Sequence, residues 1–252
     1  MHNLIHSNLG QTRSSQHGSH LLLTPDTFVR TALPGMKGCT AVVHVGPALG
    51  AAFVQYTAEF EQGGELGETS AQRFLYVMDG AVTLELSGKR SELGVRGFAY
   101  IPQGEVHQVT ASKISRVAVI EKAYQALTSH KAPQAIVSTE DTIVARALND
   151  DPDLQVKCLL PDEFDLDFAV NTMVYRPGAA LSQVEMHVME HGLIMLEGGG
   201  IYRLGDSWYP VTAGDFIWMG PWCPQWFGAI GKGPAKYLIY KNWNRHPLSA
   251  TR

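Results

Sequence analysis

The sequence predicts an all-β protein built as two similar β-domains in tandem, and two observations carry that expectation. The first is punctuation. Runs such as AAFVQYTAEF, RFLYVMDG, AVTLEL, GFAYIP, VAVIE, NTMVYRPG, GLIMLEG, GIYRL, DFIWMG and KYLIYK are short, apolar or alternating, and cut by Gly, Pro, Asp or Ser. That is the pattern of strands joined by tight turns, and helical periodicity is weak. The second is an internal repeat. RFLYVMDGAVTLEL, GFAYIPQGEVH and VAVIEK in the first half align with HGLIMLEGGGIYRL, GDFIWMGPWCPQ and YLIYKN in the second. Gly80 falls on Gly198, Gly97 on Gly214, His107 on Gln225 and Lys122 on Lys241, at a near-constant offset. Many short strands with Gly-rich turns, written twice, indicate two closed barrels or sandwiches.

Each element follows in order. Residues 1–37 read as an N-terminal arm with no assigned structure, 38–123 as the first barrel, 124–153 as a polar linker, and 154–252 as the second barrel. Within the linker, Ser138 or Thr139 is placed to cap a short helix opened by Glu140 and Asp141. The 252 residues are enough for either one or two domains, so the repeat decides. A net charge of −4 without Lys/Arg runs argues against a nucleic-acid partner. The polar start lacks an apolar leader core, and no stretch is long and apolar enough to span a bilayer. The scattered cysteines Cys39, Cys158 and Cys223 fit reduced thiols in the cytoplasm, with Cys223 as a small buried filler.

The chemistry concentrates in EMHVMEH, which sets Glu185, His187 and His191 at i, i+2 and i+6. Positions of equal parity on a strand share a face, here the barrel interior, while Glu190, of opposite parity to Glu185, reads as a solvated outer position. A carboxylate and two imidazoles pointed at one buried place are costly unless a divalent cation satisfies them. Gln225, in PWCPQW after DFIWMG, is the fourth candidate ligand. HVMEH also spells a zinc-peptidase signature, but that motif needs a helix and the stretch lies among strands.

These residues resemble the cupin family, whose motifs run G-x5-H-x-H-x3-4-E-x6-G and G-x5-P-x-G-x2-H. Gly178 opens the first one residue early. Glu185 takes the first His place, His187 the second, and His191 the Glu place, with Gly198 closing. Gly214 opens the second motif and Gln225 stands at its last His. This permuted set, in the context EMHVMEHG, resembles the (S)-ureidoglycine aminohydrolase family of manganese bicupins, which serve purine (allantoin) catabolism. The resemblance extends through TPDTFVRTALPGM, RFLYVMDG, IYRLGDSWYPVTAGDFIWMG and KYLIYKNWNR, most of the chain. It implies two jelly-roll barrels and a metal site of Glu185, His187, His191 and Gln225 filled by Mn2+ or another divalent ion. It also implies hydrolytic release of ammonia from (S)-ureidoglycine, a small-molecule partner and a homo-oligomer. The first barrel places Gly67, Thr69 and Arg73 at the corresponding ligand positions. There only His107 keeps a ligand-type residue, as a hydrogen-bonded inner histidine in a metal-free barrel.

Tyr237 and Lys241 lie four apart on the last apolar run and share a face with Ile239. By residue pattern alone Lys241 is as well placed on an exposed face as inside. The family resemblance puts substrate-contacting groups at Tyr202, Tyr237 and Lys241; the candidate catalytic residues are Glu185, able to relay a proton, and Lys241, which with Tyr237 anchors the substrate carboxylate. Fold alone leaves open another metal-cupin enzyme (a dioxygenase, decarboxylase or isomerase) or a non-catalytic binding bicupin.

Overall fold

The computed structural model describes residues 11–128, 130–242 and 245. Two antiparallel assemblies stand side by side. The first is a ten-stranded sheet. Its centre is formed by Val54–Leu66, Gln72–Asp79 and Ser115–Lys122, flanked by Lys37–Val45, Ala81–Leu86, Lys89–Gly94, Gly97–Ile101 and His107–Ala111. The second combines an eight-stranded sheet with a three-stranded one. Its centre is Ala169–Tyr175, Ala235–Lys241 and His191–Glu197, and its small sheet is Ser207–Thr212, Gly199–Leu204 and Gln225–Ala229.

The near-continuous apolar character of the central strands comes from burial on both faces. Along Gln72–Asp79, Leu75 and Val77 fill the first barrel, whereas Phe74 and Tyr76 join a separate cluster with Phe53, Phe168, Phe216, Trp218, Leu238 and Tyr240. In the second barrel Leu193, Met195, Tyr237 and Ile239 point inward and Ile194, Leu238 and Tyr240 outward. The outward set forms a core between the barrels. Each barrel therefore has its own core, and a third core joins them.

The repeat is visible in strand register. Leu86 faces His107 across one strand pair and Leu204 faces Gln225 across the equivalent pair. Gly80 and Gly198 both hold positive φ, +79° and +64°, in turns where a Cβ would lie 2.3 Å from a carbonyl oxygen. One correspondence differs from the sequence alignment. Arg73 pairs with Glu121 as His191 pairs with Lys241, so the counterpart of Lys241 is Glu121, not Lys122. Both halves carry an equivalent register shift, at Arg116/Val117 and at Met195/Glu197, and the one-residue difference comes from the link before the last strand, 112–114 in the first half and the longer 230–234 in the second. Lys122 instead faces the inter-barrel side and pairs with Asp167.

The connecting segments tie the barrels together. His20–Leu23, from the N-terminal arm, pairs with Phe216–Met219 of the second barrel. Ile136–Thr139, beyond the first barrel, returns to pair with its Gly97–Ile101. The expected short helix is a single 3-10 turn at Glu140–Thr142, with the Thr139 hydroxyl accepting from the Asp141 N–H. It is brief because Glu140 is buried, held by Tyr76, Thr172 and Lys236. Among the described residues no helix is long and apolar enough to cross a membrane. Cys39, Cys158 and Cys223 are free thiols, and Cys223 is buried in the second core as expected.

Candidate metal and substrate site

The ligand stretch is not the regular strand that parity assumed. Between Leu181 and Glu190 the chain is irregular, and the strand begins only at His191. Backbone pairing supplies the order instead. Glu185 and Gln225 form an isolated antiparallel bridge, exchanging N–H···O bonds of 2.8 and 2.9 Å. The Trp222 N–H donates to the His187 carbonyl at 2.7 Å. Trp222 holds a positive φ of 63°, an uncommon conformation for a bulky residue, to make that turn.

Four side chains meet as a result. His187 Nε2 lies 3.4 Å from His191 Nε2, 2.9 Å from the Gln225 side-chain nitrogen and 3.9 Å from a Glu185 oxygen. His191 Nδ1 lies 3.2 Å from the Tyr240 carbonyl. A carbonyl only accepts, so Nδ1 carries the proton and Nε2 presents a bare lone pair to the cluster. Burial first, then Lys241 and His187, hold His191 well below the ordinary imidazole pKa, so it is neutral, as a metal ligand must be.

The separations fit an ion. Adjacent donors around an octahedral cation with bonds of about 2.1 Å sit about 3 Å apart. The imidazole and amide spacings already match. Among the described residues no three His, Cys, Asp or Glu side chains form a closed metal group. The Glu185 carboxylate stands further off, 3.9 Å from His187 Nε2, and the Gln225 amide presents its oxygen in place of its nitrogen when the group turns over.

Around this cluster lies a cavity of about 350 Å³. Tyr202, Tyr237 and Lys241 line it, as do Met173, Asn171, Cys158 and Arg146. Lys241 thus faces the barrel interior. Burial lowers its pKa, opposed chiefly by the nearby Glu185 carboxylate. Burial raises Tyr202 and Tyr237 well above ordinary phenols, so both keep their protons and can donate. Tyr237 shares a hydroxyl–hydroxyl hydrogen bond of 2.7 Å with Tyr175.

Two residues beside the site were missed from sequence. With its amide turned to satisfy both ends, Asn171 accepts from Lys241 Nζ at 3.3 Å and donates to the Val170 carbonyl at 3.0 Å. Tyr175 lies four residues further along the same strand. Their common parity in NTMVY was the available signal. The reading of Glu190 as a solvated outer position was also wrong. Glu190 is 2 % exposed, because the face opposite His191 is covered by the first barrel rather than by solvent.

Paired barrels with donors gathered inside one of them define a bicupin, and the cupin domain family matches residues 171–240. The chain is 38% identical over 242 residues to an (S)-ureidoglycine aminohydrolase of Arabidopsis thaliana, covering 95% of this chain and 80% of that one. It is 31% identical to the (S)-ureidoglycine aminohydrolase of Escherichia coli (strain K12), over 91% and 90% of the two chains. The crystal structure of protein Ylba from E. coli superposes with a TM-score of 0.83 at 29% identity, covering 95% of this chain and 98% of that one. The chain belongs to the (S)-ureidoglycine aminohydrolase family.

Proposed function

We propose that this chain is a metal-dependent hydrolase releasing ammonia from (S)-ureidoglycine to give (S)-ureidoglycolate, a step in purine degradation. Water supplies the hydroxyl that replaces the amine on the central carbon, and the C–N bond to that amine breaks. The carrying observation is the meeting of the two imidazoles, the amide and the Glu185 carboxylate in one barrel with Lys241 beside them, in a chain related to such enzymes along most of its length.

Glu185, His187, His191 and Gln225 would hold the cation, manganese in this reading, which when bound supplies positive charge and a template for an anionic, amine-bearing substrate. The donors are nitrogen and oxygen without thiolate, a set suited to manganese or ferrous iron. Lys241, steadied by Asn171, takes the substrate carboxylate through a charge-assisted hydrogen bond. Tyr237 and Tyr202 donate hydroxyl hydrogen bonds that fix its orientation, and Glu185 relays a proton between water and the departing amine. The enzyme acts as a cytoplasmic homo-oligomer on a small molecule, without nucleic-acid or membrane partners. The free thiols and the exposed apolar residues Val184, Met186 and Trp222 beside the ligand loop support that reading.

The test is metal analysis of the purified full chain together with ammonia release from freshly made (S)-ureidoglycine. One divalent ion per chain with steady ammonia release is expected. A metal-loaded protein that releases none overturns the assignment.

A further inference from the structure

The first barrel, which carries none of the metal donors, touches the second directly behind one of them. Glu190 precedes His191, and its side chain points away from the cavity toward the first barrel. Its two carboxylate oxygens accept from the backbone N–H of Ala52, at 3.0 and 3.2 Å, and one also accepts from the Trp218 indole Nε1–H at 3.3 Å. Ala52 stands on the turn leading into Val54–Leu66 of the first barrel. Trp218 belongs to the second barrel and pairs with Gly192 across the sheet. The backbone N–H of Glu190 is itself held, donating to the Asn242 amide oxygen at 2.9 Å.

The next residue but one shows how tight this contact is. A Cβ added to Gly192 would lie 2.2 Å from Gln55 Oε1 and 2.6 Å from the Phe53 ring, both of the first barrel. Side chains of the first barrel therefore pack against the backbone that carries His191.

We infer that Glu190 is a positioning residue through which the metal-free first barrel fixes His191. The anchored carboxylate sets how the irregular ligand loop enters its strand, and so the direction of the His191 ring. This inference rests on the reading of His191 as a metal ligand. Under it the degenerate barrel serves as the outer wall of the site. Groups behind the ligands that orient them typically change metal affinity by about 10- to 100-fold when removed.

The full chain, stripped of metal with a chelator, is titrated with Mn2+ while the paramagnetic resonance signal of the free ion is followed. The melting temperature of each metal-free variant is recorded alongside. Glu190→Ala is expected to weaken manganese binding by about 10- to 100-fold. Glu190→Gln, which keeps an acceptor at the same reach, is expected to restore affinity to within about threefold of the unaltered chain. Should Glu190→Ala fail to fold, Glu190→Asp, one methylene short of Ala52, serves in its place and is expected to weaken binding about tenfold. His191→Ala is the reference and is expected to abolish binding. Unaltered affinity in Glu190→Ala beside loss in His191→Ala overturns the positioning role and leaves the ligand reading standing. Equal weakening in Glu190→Ala and Glu190→Gln also overturns it. Tight binding in His191→Ala overturns the ligand reading and the inference with it.

Discussion

The two barrels share a register and differ in how they satisfy a charged interior. In the second, Glu185, His187, His191 and Gln225 meet at the four proposed ligand places, with Lys241 adjoining. In the first, the matching places hold Gly67, Thr69, Arg73 and His107, with Glu121 where Lys241 would be. The Arg73 guanidinium there donates to Glu121 and to the Gly67 carbonyl, each at 2.8 Å, and lies 2.8 Å from His107 Nε2. Tyr56 and Thr69 complete the shell of Glu121. A fixed organic cation sits among the residues that correspond to the proposed ligands, and a carboxylate stands where the second barrel has a lysine. A barrel interior can keep polar groups when a cation is at their centre, and that cation can be a side chain.

The largest effect expected from breaking this comparison is on the second barrel. His187→Ala and His191→Ala should each lose the bound ion and reduce ammonia release by about three orders of magnitude or more, as removal of a catalytic Lewis acid does. Elemental analysis beside kinetics checks this. Metal retained in both folded variants would show the donors to be misassigned. Next is the organic cation. Arg73→Ala leaves the Glu121 carboxylate without its counter-charge, and Glu121 is only 18% exposed at its side chain. The chain should lose about 3–5 kcal/mol of stability in urea unfolding. The double change Arg73→Met with Glu121→Leu removes both charges, and most of that loss should be recovered. Equal instability in the single and double variants would mean that the pair is not balancing charge.

Much of this was legible in the sequence because the barrels are built by period and repeat. The strands and the equivalence of His107 with Gln225 follow from alternation and aligned glycines. That Glu185, His187, His191 and Gln225 would meet was legible through residue type and spacing, although the element expected for them was wrong. Parity on a strand and an irregular loop pinned at Glu185–Gln225 happen to bring the same residues together. What was not legible depends on long-range contact. Glu190 looks like an outer residue until the first barrel is set against it. Lys122 looks like the partner of Lys241 until the two extra residues of the 230–234 link, against 112–114 in the first half, move the count to Glu121. Asn171 offers only its parity with Tyr175 in NTMVY, and cross-strand register is what puts it beside Lys241.

A smaller effect belongs to the reversed neighbour charge. Lys241→Met keeps an apolar stem in the cavity and removes the ammonium, without touching a metal donor. Metal content and folding should survive, while kcat/KM for (S)-ureidoglycine falls about 30- to 200-fold, the equivalent of about 2–3 kcal/mol for a lost charge-assisted contact. Unchanged kinetics would remove Lys241 from the substrate site and leave the reversal without functional meaning.

The mildest test concerns the seam between the barrels. His44 of the first barrel stacks on Phe216 of the second, with ring centroids 4.8 Å apart, and its Nε2 lies 2.8 Å from the Thr57 hydroxyl. Burial, with a smaller contribution from Arg116, pushes its pKa down to about 3. In the unfolded chain the ring titrates near 6.5, as an ordinary histidine does. Between these values the unfolded state binds the extra proton, so the neutral ring's contribution is complete above about pH 6.5 and is lost as pH falls toward 3. At pH 5 the loss from this one group is about 2 kcal/mol. His44→Gln keeps a hydrogen-bonding partner for Thr57 and cannot titrate. Its stability relative to the unaltered chain should therefore rise by about 2 kcal/mol between pH 7 and pH 5. Urea unfolding of both chains at the two pH values measures the difference, in which other histidines such as His20 cancel. A difference that stays constant with pH would show that His44 accepts its proton inside the seam, and that the contact between the barrels is looser than their shared core implies.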